Sequence, residues 1–257
     1  AAIERCRSLG MCAATIGNVQ HLGRIGAFGE MAVEAGLISL HFVSVNDHGG
    51  LAAPHGGRDA RFGTNPVCIA VPGFERMPPF LLDFATTKIA LGKVRVAMMK
   101  GETLSPGQLL DGQGRPTTDP SVMYSDPMGA LLTMGEHKGY GLAFACEILS
   151  GVLAGFGTIQ PEHKRLGGIG NAMLAIVLDP ARFGKVEDIA KEIKATTDHF
   201  LASPPAEETG PPKVPGDPER ETMRARLANG IDIEAATWAE IVKEAKALGV
   251  DAPRASP

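Results

Sequence analysis

The sequence predicts an α/β fold, a mixed sheet with flanking helices. Three observations point there. Short apolar runs rich in β-branched residues alternate with segments of helical periodicity along most of the chain. The 32 glycines sit mainly in the first two thirds, beside polar residues, where they suit tight turns and close backbone approach. No internal repeat interrupts the alternation.

The elements follow in order. AAIERCRSLG reads as the last turns of an amphipathic helix closed by Gly10, which predicts that the helix begins upstream of Ala1. MCAATIG (11–17) is a strand, residues 22–36 a helix ending at Gly36, and LISLHFVSV (37–45) the next strand. A Gly-, Asp- and Pro-rich loop spans 46–63. NPVCIAVPG and PFLLDF add two strands, and 85–100 reads as a helix with its basic residues toward the C-terminal end. GQGRPTTDP (112–120) carries turn chemistry. Residues 138–155 read as one long apolar helix, NAMLAIVLDP as a strand, and VEDIAKEIKATTDHFLAS as an amphipathic helix. The Pro-rich stretch 203–219 is expected to be extended, with two helices after it and Trp238 packed in the last. This divides the chain into a main domain, 1–202, and a tail, 203–257, whose helices pack back on it.

A chain of 257 residues with 44% hydrophobic composition is long enough to bury a sizeable core. The net charge of −4 argues against nucleic acid as a partner. No apolar run reaches the length of a membrane span, because GLAFACEILSGVLAGFG is broken by Glu147 and glycines. Cys6, Cys12, Cys68 and Cys146 lack metal-site spacing and read as free thiols, which places the protein in the cytoplasm.

NVQHLGRIG (18–26) puts His21 between a strand and a helix mouth, beside Gly23, Gly26 and the fixed charge of Arg24. HGGRDARFGTNP (55–66), LLDFATTKIALGK (81–93), GRPTTDP (114–120) and EHKGYGLAFACEILSGVLAG (136–155) follow in that order. Together these segments resemble the type 2 malate/L-lactate dehydrogenase family, and within it the hydroxycarboxylate dehydrogenases that reduce 2-oxoacids. The resemblance spans nearly all of the chain.

The resemblance implies a non-Rossmann dinucleotide-binding fold, a homodimer, and interconversion of 2-oxoacids and 2-hydroxyacids with NAD or NADP, NAD being favoured. It places His21 beside the nicotinamide and substrate, where an imidazole suits proton exchange. It assigns Gly23, Arg24, Ile25, the strand end Leu81, Leu82, Asp83, Phe84, Ala85 and Thr86, the pair His137 and Lys138, Asn171, and Pro215, Gly216 and Asp217 to the cofactor. Relatives often carry Glu where Asp217 stands. The family also lines its site with a Ser-His pair from an N-terminal segment, which is expected to lie outside this chain. For the substrate carboxylate the candidates are Arg24, Arg58 and Arg61, with Thr64 nearby in sequence, and the sequence does not choose among them.

Each segment also has a structural reading. Asp83 caps the following helix, Lys138 is a solvated lysine, and Thr64-Asn65-Pro66 is a turn. GGIGNAM (167–173) fails as a Rossmann fingerprint because Met173 replaces the third glycine and a strand follows it. His41, His48 and His55, with Asp47 and Asp59, offer metal ligands whose convergence nothing in the pattern forces, so no metal is expected. A catalytically incomplete scaffold is the remaining alternative.

Overall fold

The computed structural model describes residues 1–46, 49–74, 77–163, 167–207 and 210–251. Helix α1 (Ala2–Leu9) closes on Gly10, whose φ of 90° lets its N–H return to the Cys6 carbonyl at 2.7 Å. Strand β1 (Met11–Val19) follows, then α2 (Gly26–Glu34), β2 (Ile38–Val45), β3 (Val67–Val71) and β4 (Phe80–Phe84). Helix α3 (Leu91–Lys100) leads to the short strands β5 (Leu109–Leu110), β6 (Pro116–Thr117) and β7 (Ala130–Leu131). Helix α4 (His137–Cys146) runs into a wider π turn at Glu147–Val152, followed by β8 (Asn171–Leu178) and α5 (Val186–Leu201). Helices α6 (Asp217–Asn229) and α7 (Ala235–Ala247) complete the described chain.

The main sheet has the order β1-β8-β2-β3-β4. Its four ladders are antiparallel. Among the described residues parallel pairing enters at the isolated bridge Ala52–Leu131, beside a smaller antiparallel sheet of order β6-β5-β7. The α/β class with flanking helices holds. The small sheet was not foreseen, because two-residue strands leave no periodicity to read.

Strand β8 lies between β1 and β2, and after the buried Asn171 its next residues, Ala172, Met173 and Leu174, form a buried apolar run. Helix α2 covers the face of β3 and β4 through a stripe of small residues, Gly26, Gly29 and Ala32. A Cβ on Gly29 would stand 2.9 Å from the Cys68 sulfur and 3.0 Å from Ala70 and Leu81, so only glycine permits this approach. Ile25, Val43, Cys68, Ala70, Leu81 and Met173 form the core beneath. A second core of Phe62, Val94, Leu109, Met123, Leu131 and Ala143 lies under α3, α4 and the small sheet. Burying each such aliphatic side chain contributes about 1.5–3 kcal/mol.

Three element boundaries differ from expectation. The helix expected over 85–100 starts at Leu91, because Ala85–Ala90 spends its backbone on other partners: the Thr86 N–H on Thr64 and the Lys88 N–H on Leu132. The apolar helix expected over 138–155 is α-helical only to Cys146 and then widens. The Pro-rich stretch ends sooner, with α6 beginning at Asp217. The chain forms two compact units, Ala1–Gly216 and Asp217–Pro257. In the second, Arg220 donates to Asp217 at 2.7 Å, and Trp238 is half-buried within α7. No helix among the described residues is long and apolar enough to cross a membrane.

Candidate functional site

The loop between β1 and α2 carries His21, which is exposed. Its Nδ1 accepts the Gly23 N–H at 2.9 Å. Gly23 has φ 72°, a left-handed conformation that turns its N–H back onto the ring. With Nδ1 occupied as an acceptor, the neutral imidazole carries its proton on Nε2 and presents an N–H donor outward. Next to it, the Leu22 N–H donates to Asn171 Oδ1 at 2.8 Å. Asn171 is buried at the start of β8, and its amide donates to the carbonyl of Gly170 at 3.1 Å. The side chain of Asn171 therefore moors the His21 loop to the centre of the sheet.

Beyond the loop, Arg24, Glu30 and Asp83 cluster around the start of α2. The Asp83 carboxylate accepts the Gly26 N–H at 2.7 Å, in the first turn of the helix. Arg24 pairs with Glu30. That hydrogen bond and the nearby carboxylates of Glu30 and Asp83 raise the guanidinium pKa further. Burial and the Asp83 charge push the Cys68 thiol up to about 12, so it stays a thiol beside this cluster. The reading of Asp83 as a cap is right in kind but names the wrong helix: it caps α2, which precedes it, and not α3.

The end of β4 is bound tightly. Thr86 is fully buried, and both its N–H (3.0 Å) and its hydroxyl (2.9 Å) donate to the Thr64 carbonyl. The Thr86 carbonyl accepts the Met134 N–H at 2.9 Å, and Thr87 bridges to Thr133. Thr133 in turn donates its hydroxyl to the Glu136 carbonyl at 2.7 Å. The Thr86–Thr87 segment just past β4 and the start of α4 are thus one bonded structure. At the other end of β4, the Leu81 N–H donates to the Pro215 carbonyl at 3.0 Å. Pro215 lines an apolar cavity of about 380 Å³ with Val71, Phe80, Ile193 and Phe200.

Helix α4 begins after Gly135 and Glu136, both at positive φ, 53° and 56°. No side chain caps its first turn. Its leading residues His137 and Lys138 are exposed, and His55 meets His137 edge-on with ring centroids 5.8 Å apart. The Lys138 N–H donates to the Gly135 carbonyl at 3.1 Å, and the helix dipole and the lysine side chain together suit an anion such as a pyrophosphate.

The three candidate arginines separate by their partners. Arg24 is paired with Glu30, and Arg61 with Asp59 at 2.5 Å. Among the described residues no salt bridge holds Arg58, which is exposed in the same loop. Thr64 is half-buried, with its carbonyl spent on Thr86. Asp217 belongs to the second compact unit.

Of the metal candidates, His41 lies buried in β2, where its Nε2 meets Ser39 at 3.1 Å and burial lowers its pKa to about 4. Asp47 and His48 lie outside the described residues. No group of three or more metal-ligating side chains converges among the described residues.

Sequence reasoning missed Asn65 and Glu147. Asn65 is fully buried with φ 35°; its Oδ1 accepts the Val45 N–H at 3.2 Å. Its Nδ2 donates to the Ala143 carbonyl at 3.0 Å and to Glu147 Oε1 at 2.9 Å. The signal available was a single glutamate inside the most apolar stretch of the chain, since a buried acid needs donors supplied from elsewhere.

Comparison with known proteins gives a consistent outcome. A family model described as malate/L-lactate dehydrogenase matches residues 1–242. An L-lactate dehydrogenase of Cupriavidus necator is 40% identical over 99% of this chain and 73% of its own length. Hydroxycarboxylate dehydrogenase B of Escherichia coli is 42% identical over 96% of this chain and 68% of its own length. A solved E. coli chain classed with the malate/lactate dehydrogenases superposes with a TM-score of 0.90 at 42% identity, covering 97% of this chain and 69% of that one. A malate dehydrogenase structure from Pyrococcus horikoshii superposes with a TM-score of 0.82 at 28% identity, covering 98% of this chain and 69% of that one. The chain belongs to the malate/L-lactate dehydrogenase family of oxidoreductases.

Proposed function

We propose that the protein interconverts 2-oxoacids and 2-hydroxyacids with a nicotinamide dinucleotide, NAD in preference to NADP, in the manner of the hydroxycarboxylate dehydrogenases it resembles. The observation that carries the reading is the bonded assembly of the Thr86–Thr87 segment just past β4 with the start of α4. There the side chains of His137 and Lys138 hold the pyrophosphate at the positive end of the helix dipole. Gly23, Arg24, Ile25 and Asn171 shape the loop beside the nicotinamide half, and Pro215 and Gly216 extend the site from Leu81. The bound cofactor supplies or accepts the hydride.

The rest of the chemistry falls to the chain. His21 directs its Nε2–H at the substrate oxygen and polarises the carbonyl for reduction. To give up its Nε2 proton the neutral ring must take up one from solvent at Nδ1, and to accept a proton at Nε2 it must carry its single proton on Nδ1; either requires the Gly23 N–H to let go. Gly23 has open space around it for that movement. Arg58 binds the substrate carboxylate, because the charges of Arg24 and Arg61 are already matched by Glu30 and Asp59.

The protein works in the cytoplasm, which its free cysteines favour, and as a homodimer. Support for the dimer is an exposed apolar stripe along α4 and the π turn, with Phe144 58%, Ile148 46% and Val152 55% exposed. Titration with NADH and NADPH by fluorescence, followed by a panel of 2-oxoacids read at the reduced-nicotinamide absorbance, tests the function. Saturable binding with oxoacid-dependent oxidation supports it; no binding of either dinucleotide overturns it. Light scattering behind a sizing column tests the dimer.

A further inference from the structure

We propose that Glu147 is a positioning residue for the cofactor site, acting through Asn65 on the Thr64 turn, the Thr86 strand end and the start of α4. The proposal rests on the dehydrogenase reading for the identity of the ligand and on geometry for the rest.

Glu147 is the first residue of the π turn and is buried. Both of its oxygens face N–H donors: Oε1 accepts from Asn65 Nδ2 at 2.9 Å, and Oε2 accepts from the Ile159 N–H at 3.1 Å. A carboxylate is the side chain that offers acceptors on both sides and donors on neither. Burial pushes its pKa up, against the pull of these two donors. Burying an acid is costly unless donors satisfy it, and here both oxygens are satisfied, by Asn65 and by the Ile159 backbone. The π turn that presents it is a further departure from regular helix, of a kind frequent at functional sites.

What Glu147 holds is a residue in an unusual conformation. Asn65 sits at φ 35° with its amide fully engaged, its Oδ1 on Val45 and its Nδ2 on Ala143 and Glu147. A left-handed asparagine costs about 1–3 kcal/mol unless its surroundings fix it. This turn orients the preceding carbonyl, that of Thr64, toward Thr86, which reaches it twice. The Thr86 carbonyl then holds Met134, three residues before the leading histidine of α4. Releasing Asn65 therefore loosens both segments assigned to the cofactor, without touching a group that contacts it.

The variant Glu147→Gln keeps the shape but turns one acceptor into a donor, so that either Asn65 or Ile159 loses its partner. Pairing it with Asn65→Gly, which keeps the positive φ and removes the amide, makes a double-mutant cycle: if Glu147 acts through Asn65, its substitution adds little once that side chain is gone. The readouts are the NADH dissociation constant, kcat and KM for a 2-oxoacid, and amide hydrogen exchange without cofactor across the Thr64, Thr86 and Met134 peptides. In Glu147→Gln we expect NADH to bind about tenfold more weakly, the loss of one buried charge-assisted hydrogen bond. KM should rise with kcat kept within about twofold. Exchange should speed up in those three peptides ahead of the rest, and in the Asn65→Gly background Glu147→Gln should change affinity and exchange little further. Unchanged affinity and exchange in Glu147→Gln overturn the proposal. So does faster exchange spread evenly over the chain, or a fully additive loss in the Asn65→Gly background, since either marks an action that does not pass through Asn65. If the parent binds neither dinucleotide, the dehydrogenase reading falls, while the exchange comparison still decides whether Glu147 holds these segments.

Discussion

The Asp83 carboxylate accepts the Gly26 N–H at 2.7 Å across 57 positions of sequence, tying the end of β4 to the first turn of α2. It satisfies one of the orphan donors of that helix and places a negative charge at its positive end. Asp83→Ala should cost about 1–2 kcal/mol in urea unfolding, the usual loss for a helix N-terminal acceptor. Asp83→Asn keeps an acceptor and should cost less. Equal losses in both variants would show that the charge, and not the hydrogen bond, holds the helix start.

His21 and Asn171 should separate chemistry from anchorage. His21→Ala removes the outward Nε2–H and should lower kcat by about 100-fold or more, with NADH affinity little changed. Asn171→Ala leaves the Leu22 N–H without its 2.8 Å acceptor and should lower both kcat and the unfolding midpoint, by about 1–3 kcal/mol in stability. Normal turnover in His21→Ala would remove the histidine from the mechanism.

Much of this arrangement was legible in the chain. Strands β1, β2, β3, β4 and β8 announce themselves because each is an apolar run bounded by turn residues, and Gly10 and Gly36 end their helices as glycine at positive φ should. Tertiary bonding was not legible. Asp83 reads as a cap for whatever helix follows it, and only the folded chain shows that its partner lies before it. The residues 85–90 have helical composition, but two of their N–H groups go to Thr64 and Leu132, so the helix starts late. In the same way, Thr64-Asn65-Pro66 is a turn in sequence, yet its meaning lies in Glu147, 82 residues on. Partners at that separation leave no local pattern.

The three arginines should differ on substrate. Arg58→Ala should raise the oxoacid KM by about tenfold or more, the cost of an unpaired carboxylate. Arg61→Ala removes a charge already matched by Asp59 in an exposed pair and should change KM little. Glu30→Gln frees Arg24, and if Arg24 were the substrate cation this variant would lower KM. Steady-state kinetics of the three variants on one oxoacid decides between Arg58 and Arg24.

His41 gives the fold a defined acid sensitivity. Its imidazole is buried in β2, its Nε2 meets the Ser39 hydroxyl, and burial lowers its pKa from 6.5 to about 4. The folded protein therefore binds this proton less readily than the unfolded chain does. The sign follows from linkage: the contribution is fully present above pH 6.5 and is lost as pH falls through about 4. The drop of 6.5 to about 4 corresponds to roughly 3 kcal/mol at most. His41→Leu removes the titration while keeping an apolar side chain of similar bulk. Urea unfolding of parent and variant between pH 7 and pH 4 should then converge, the variant gaining on the parent as the pH falls. A constant difference between them across that range would mean that His41 takes up its proton without leaving the fold.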